Sequence, residues 1–296
     1  MTEPLPPKGS LSTDVPERPT ALPPLRAHSP EVSAARARRW GAFYFAEHVL
    51  RVMKGYGWSI FLYSVGQPAA YLFAMGVGLA TLIDPQGAGA FGGVGYVTFV
   101  APALLVSAAV MTAANEFTFP VMDGFKWRRT YYGPHASPLT PQQIAAGHIM
   151  AVTLRFLLQS AVYFAAVALF GAAPGGWGWV TILVATLAGL AFGLPLMAYS
   201  ASITEDKGQF ALVMRFIVMP LFLFSGTFFP LDSLPLAVRW IGWISPIWHG
   251  TELGRVFSYG YREPPMLTVL HVVVLVGLAV LGWFLTRKQF AARMGR

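Results

Sequence analysis

Lys126, Arg128 and Arg129 sit with Asp123, Phe125 and Trp127 in the stretch EFTFPVMDGFKWRRTYYGPHASPLTPQQIAAG, residues 116–147. Tryptophan and arginine are frequent anchors of protein interfaces, so the chemistry this cluster offers is recognition of another chain. Asp123-Gly124 provides a turn, and Pro134, Pro138 and Pro141 punctuate the second half. Catalysis finds less support. There is no cysteine, which excludes disulfides, thiolate metal sites and thiol nucleophiles. No glycine is followed directly by lysine, so the chain lacks a Gly-Lys-Ser/Thr phosphate cradle and is not expected to hydrolyse nucleotide by itself. The histidines His28, His48, His135, His148, His249 and His271 show no metal-ligand spacing.

The elements that carry this cluster are apolar. Of 296 residues, 55% are hydrophobic and 11% charged, against about 25% charged in soluble domains. The chain reads as an integral membrane protein. Its net charge of +8 would suggest nucleic acid in a soluble protein; here the cations lie at membrane edges, and no nucleic-acid partner is expected.

Residues 1–35 are polar and proline-rich without an apolar signal region, and read as a disordered cytoplasmic tail. Residues 36–58 form a basic amphipathic helix lying in the head-group plane. Phe43, Ala46, Leu50 and Met53 recur on one face, and Glu47 stands four before Arg51 on another, the favourable order for a helical ion pair. Six spans follow, at 59–83, 94–114, 144–170, 179–201, 210–229 and 266–285, each close to the roughly twenty apolar residues that cross a bilayer. Together, 59–286 form one membrane domain, with 287–296 a basic C-terminus.

The tail, the first helix, the 116–147 loop, the 201–210 connection and the C-terminus hold most of the lysine and arginine. By the positive-inside rule both termini face the cytoplasm. Within the spans, Arg155 is the main ionisable residue, either snorkelling or facing a polar path; Arg215 reads similarly, with Glu205 or Asp206 as partners. The absence of deep carboxylates argues against an ion-driven transporter. Glu116, closing the second span, either pairs with Lys126, Arg128 or Arg129 and sets the loop's geometry, or stands solvated.

On the opposite side, residues 230–265 run from Pro230 through Trp240, Trp243, Pro246, Trp248, His249 and Glu252. Two short helical patterns flank Ser245-Pro246, and the tryptophans suit an interfacial belt. The stretch reads either as a re-entrant helical pair or as an amphipathic surface loop. His249 and Glu252 read as a structural pair; with Arg255 they also form the only set that could act on lipid head groups, as a membrane enzyme or assembly scaffold.

EFTFPVMDGFKWRRTYYG, SPLTPQQIAAGHI and FSGTFFPLDSLPLAVRWIGWISPIWHGTELGR resemble segments of the type-two ABC exporter permeases, the lipo-oligosaccharide, nodulation-type and daunorubicin-type drug export group, from about Trp40 to the C-terminus. The resemblance implies an all-α six-span permease of the bacterial inner membrane with an interfacial helix and a re-entrant pair before the last span. It implies a second permease copy and a separate ATP-binding subunit, which would carry ATP and magnesium while this chain holds no cofactor. The 116–147 loop would dock on that subunit, with Asp123, Phe125, Lys126, Trp127, Arg128 and Arg129 as contact residues. The solute would be amphipathic, lipid-linked or drug-like, which suits spans poor in charge.

Overall fold

The computed structural model describes residues 29–79, 82, 91 and 93–295. Among these the chain is helical, with one isolated bridge between Phe91 and Val94 and no strand. Helix α1, Pro30–Lys54, starts where the Ser29 hydroxyl accepts from the Val32 amide at 3.4 Å. Proline in a first turn forfeits no internal hydrogen bond, so the helix begins at residue 30, inside the predicted tail, rather than at 36. Residues 1–28 of that tail lie outside the described residues. Glu47 and Arg51 pair at 2.6 Å on the exposed side. The buried stripe is Phe45, Ala46 and Met53, whereas Phe43, assigned by periodicity to the apolar face, is exposed.

Helix α2, Gly57–Phe73, passes into a π turn, Ala74–Leu79; beyond 79 the predicted 59–83 span lies outside the described residues except at 82. Helix α3, Tyr96–Glu116, is buried on nearly every side. Helix α4, Pro141–Leu169, opens on a capping box: Thr140 Oγ1 accepts from the Gln143 amide at 3.2 Å, and Gln143 Oε1 accepts from the Thr140 amide at 3.0 Å. Such reciprocal caps satisfy two otherwise orphaned donors. The Gln143 side-chain Nε2 also donates to the Arg38 carbonyl at 2.7 Å, tying α4 to α1.

Helix α5 is Val180–Ser202. Helix α6, Gln209–Phe224, contains a π turn and ends five residues short of the predicted 229, where the chain turns at Gly226 with φ +72°. Two short helices, α7 (Leu236–Trp243) and α8 (Pro246–Tyr259), precede the long α9, Pro265–Met294. Among the described residues, four stretches are long and apolar enough to cross a membrane: Tyr96–Trp127, Pro141–Leu169, Val180–Ser202 and Pro265–Met294. The protein is therefore an all-helical, multi-pass membrane protein.

Helix α5 is central, packing most extensively on α9 and α3. The larger apolar clusters surround Tyr96, Leu104 and Ile247 on the one hand and Phe117, Phe125, Tyr131, Ile144 and Phe290 on the other. Small residues let helix backbones approach closely, and Gly147 does so between α4 and α1. A Cβ there would lie 2.5 Å from the Ala42 carbonyl oxygen and 2.9 Å from the Ala46 nitrogen. Both are backbone atoms, so the helices themselves must part. Gly147→Val is expected to lower stability by at least about 2 kcal/mol, the range of overpacked cores. Thermal unfolding of the purified protein checks this, with Gly133→Ala, where an added Cβ meets nothing, as control; equal melting of the two variants would contradict the contact.

Candidate functional site

The 116–147 stretch is less a loop than an elbow. After Glu116 the chain re-enters helix at Phe119–Met122, continues through a π turn at Asp123–Trp127, and forms a further helical turn at Tyr132–His135 before α4 starts at Pro141. Its last residues, to Gly147, are thus already helix. Proline punctuation suggested loop, yet Pro134 and Pro141 lie in helical first turns, and only Pro138 sits in the turn between them.

Asp123 organises the bend. Its carbonyl accepts from the Arg128 and Arg129 amides at 3.2 and 3.0 Å. Its carboxylate receives Arg128 Nε at 2.8 and 2.9 Å and Nη2 at 2.7 Å. Planar two-toothed pairs of this kind are directionally specific as well as strong. The turn is closed by Arg129, which adopts a φ of +55°, the only non-glycine residue with positive φ among the described residues. Left-handed backbone is unfavourable for a side-chain-bearing residue, so neighbouring contacts must hold it.

Those contacts come from beneath. Phe125 is buried, with Tyr131 and Phe290 rings 5.0 and 4.8 Å away and the Arg293 guanidinium 4.4 Å above its face. Arg293 also donates to the Ala201 carbonyl near the end of α5 at 2.7 Å. The Tyr131 hydroxyl meets His148 Nδ1 of α4 at 3.1 Å, and its ring meets Phe45 of α1 at 5.9 Å. Burial pushes the Tyr131 phenol well above its ordinary range, so it stays neutral at physiological pH. Gly124 lies flat against the Tyr131 ring, leaving no room for a Cβ. Four helices (α1, α4, α5 and α9) therefore grip one turn of chain.

The six residues expected to dock divide accordingly. Lys126, Trp127, Arg128 and Arg129 are exposed. The Asp123 side chain is mostly covered and holds Arg128. Phe125 faces inward and is unavailable to a partner in this conformation. The elbow thus presents an aromatic and cationic outer face on a closely packed base.

Glu116 does not pair with the loop cations. Its carboxylate meets Arg155 of α4, both side chains nearly buried, and Arg128 is taken by Asp123 instead. Arg155 is therefore the partner of Glu116 rather than a lone snorkelling cation. A buried pair broken on one side typically loses 3–5 kcal/mol. Glu116→Arg is expected to destabilise the protein by about that much, and Glu116→Arg with Arg155→Glu to recover at least half, read by thermal unfolding. A double variant no better than the single would sink the pairing. Arg215 lies exposed on α6; Glu205 pairs with Lys207 at 2.8 Å and Asp206 receives the Gly208 amide at 3.2 Å, so neither acid is the partner expected for it.

At the other end, α7 and α8 form the short pair expected from Ser245-Pro246. Pro230 begins a short helical turn, Trp240 and Trp243 are exposed, and Pro246 opens α8 under the Ser245 cap, whose hydroxyl accepts from the Ile247 amide at 3.1 Å. Arg255 is almost fully buried. It reaches Glu252 Oε1 at 2.7 Å and the Gly226 carbonyl at 2.7 Å, with its guanidinium 3.7 Å over Phe99. His249 Nε2 lies 3.0 Å from the Trp243 carbonyl and Nδ1 lies 2.7 Å from His271 Nδ1 on α9. A carbonyl only accepts, so Nε2 of a neutral His249 carries the proton, and His271 must then donate at Nδ1. That leaves His271 Nε2 facing Glu263 at 3.3 Å, the far carboxylate oxygen being satisfied by Thr268 at 2.6 Å. Trp248 stacks edge-on against His271 at 4.8 Å. His249 thus has both ring nitrogens engaged and no free base to offer. Among the described residues no three metal-binding side chains converge.

Sequence reasoning missed Tyr131, Phe290 and Arg293 beneath the elbow, and His271 and Glu263 beside His249. Only the Thr140-to-Gln143 cap had a local signal.

Taken together, the chain is a multi-pass helical bundle whose clamped elbow carries an exposed aromatic and cationic face. Residues 50–258 match the ABC-2 type transporter family, and the chain belongs to it: it is a transport permease of the ABC class. It is 25% identical to Nodulation protein J of Rhizobium leguminosarum bv. trifolii over 236 residues, 78% of this chain and 86% of that one. Nodulation protein J of Rhizobium meliloti is 24% identical over 235 residues, covering 78% and 85%.

Proposed function

We propose that this chain is the permease of an ATP-driven exporter that moves an amphipathic, lipid-linked or drug-like solute across the bacterial inner membrane. Two copies face each other, each with six spans and both termini in the cytoplasm; α2 with its π turn and the short α6 complete the count. Each copy docks on a separate ATP-binding subunit, which holds ATP and magnesium.

The observation that carries this reading is the elbow. An exposed Lys126-Trp127-Arg128-Arg129 face stands on a base fastened to α1, α4, α5 and α9. A soft loop would dissipate any displacement imposed on it; this one passes displacement to four helices. Nucleotide then shifts the permease only if the docked contact differs in free energy between open and closed states. The head-group enzyme reading gains nothing from the geometry, because His249, Glu252 and Arg255 are consumed by internal contacts.

The test is co-expression with the nearest-encoded ATP-binding subunit. The two chains are expected to copurify, and ATP hydrolysis by the pair to depend on the permease when reconstituted in liposomes. A permease that binds no ATP-binding subunit would overturn the reading.

A further inference from the structure

A cavity of about 260 Å³ lies between α2, α3, α4 and α6. Its walls are apolar, including Met219 and Phe222, but it also carries a band of uncharged hydrogen-bonding groups: Ser107, Thr112 and Gln159, with Tyr71 on α2. Ser107 is 1% exposed and its hydroxyl has no hydrogen-bond partner. Gln159 accepts from Thr112 at 3.0 Å, yet its amide nitrogen finds only the Ala108 carbonyl at 3.5 Å, the limit of a hydrogen bond. Polar groups shut away from water without partners are unfavourable. An under-used hydroxyl and an under-used amide on one cavity wall call for a ligand that supplies both.

Charge narrows the class. No lysine, arginine, aspartate or glutamate lines the cavity, and an ion at such depth would be strongly disfavoured. The nearest charges along α3 and α4, Glu116 and Arg155, stand one helical turn beyond Thr112 and Gln159, about 6 Å, and neutralise each other.

We propose that this cavity binds an uncharged hydrogen-bonding group, a hydroxyl or an amide, carried on an apolar body. The inference rests on the permease reading and specifies its solute. A bound group would bridge α3 and α4, the helices that run into the elbow from either side. Occupancy and nucleotide state then bias the same pair of helices, and linkage makes the effect on binding reciprocal.

The experiment uses the full chain in lipid nanodiscs and a photoreactive diazirine analogue of dodecanamide. Labelling is expected to saturate, to map to peptides of α3, α4 or α6, and to be competed by dodecanamide and dodecanol. Dodecyltrimethylammonium and dodecanoate should compete at least about tenfold less well, given the uncharged lining. Gln159→Leu should weaken labelling about tenfold and Ser107→Ala about threefold, as expected for lost hydrogen bonds. Met219→Trp fills the cavity from the α6 wall without touching the polar band and should abolish labelling even if Gln159→Leu fails to fold. Unsaturable labelling, or equal competition by the charged analogues, would overturn the site. Loss of the site with intact docking of the ATP-binding subunit leaves the permease reading standing; saturable labelling without any docking leaves the site standing and removes that reading.

Discussion

Trp127→Ala combined with Arg128→Ala is expected to weaken binding of the ATP-binding subunit by at least about tenfold and to abolish ATP-driven transport, with the permease still folded. Interface anchors of these two types commonly lose 2 kcal/mol or more on truncation, and a factor of ten in affinity corresponds to about 1.4 kcal/mol. Their positions explain why the fold should survive: both lie outside the clamp, which is made by Phe125, Tyr131, Phe290 and Arg293. Arg128 has one internal duty, its pair with Asp123. Trp127→Ala alone therefore separates lost docking from a loosened bend, since Trp127 takes no part in that pair. Lys207→Ala, which removes an exposed pair with Glu205, serves as control and should change little, because exposed pairs contribute about 0–1 kcal/mol. Copurification yield and ATP-dependent uptake into inverted vesicles are the readouts. Full transport by the double variant would remove the elbow from the docking surface.

Arg255→Met is expected to be strongly destabilising. The guanidinium is almost wholly enclosed and serves Glu252, the Gly226 carbonyl and the face of Phe99 together. Removing it strands a buried carboxylate, and broken buried pairs lose about 3–5 kcal/mol. That is a large part of the 5–15 kcal/mol that holds a typical fold. Arg255→Lys should not rescue, because an ammonium cannot span three separated acceptors with a planar fork. Arg255→Met with Glu252→Met should be more stable than either single variant, since both charges leave together. Thermal unfolding in detergent and the yield of membrane-inserted protein measure this. A single Arg255→Met variant melting with the parent protein would show that the buried pair is not structural.

The local grammar of the chain was legible in parts. Glu47 and Arg51 pair because four residues bring side chains to one helix face, whatever the helix touches. Ser245-Pro246 starts a helix because hydroxyl and ring suit a helix N-terminus on their own. The same logic at Thr140, Pro141 and Gln143 was present but obscured by the proline count of the surrounding stretch. Phe125 and Trp127 show the limit. Two aromatics, two residues apart, point in opposite directions because a π turn and the floor beneath it decide which one is buried.

Composition alone determined that this is a helical membrane protein, because apolar runs of bilayer length with little charge have no stable place in water. It also located the stretch where that pattern breaks, the basic and aromatic elbow. Tertiary structure decided who holds whom: Glu116 with Arg155 across 39 residues, His249 with His271 across 22, and Arg293 over Phe125. Those partners lie on different helices, and helices slide and rotate freely as sequence patterns. Their depth and rotation are settled only when backbones approach at contacts such as Gly147 against Ala42, which set each charge opposite its mate.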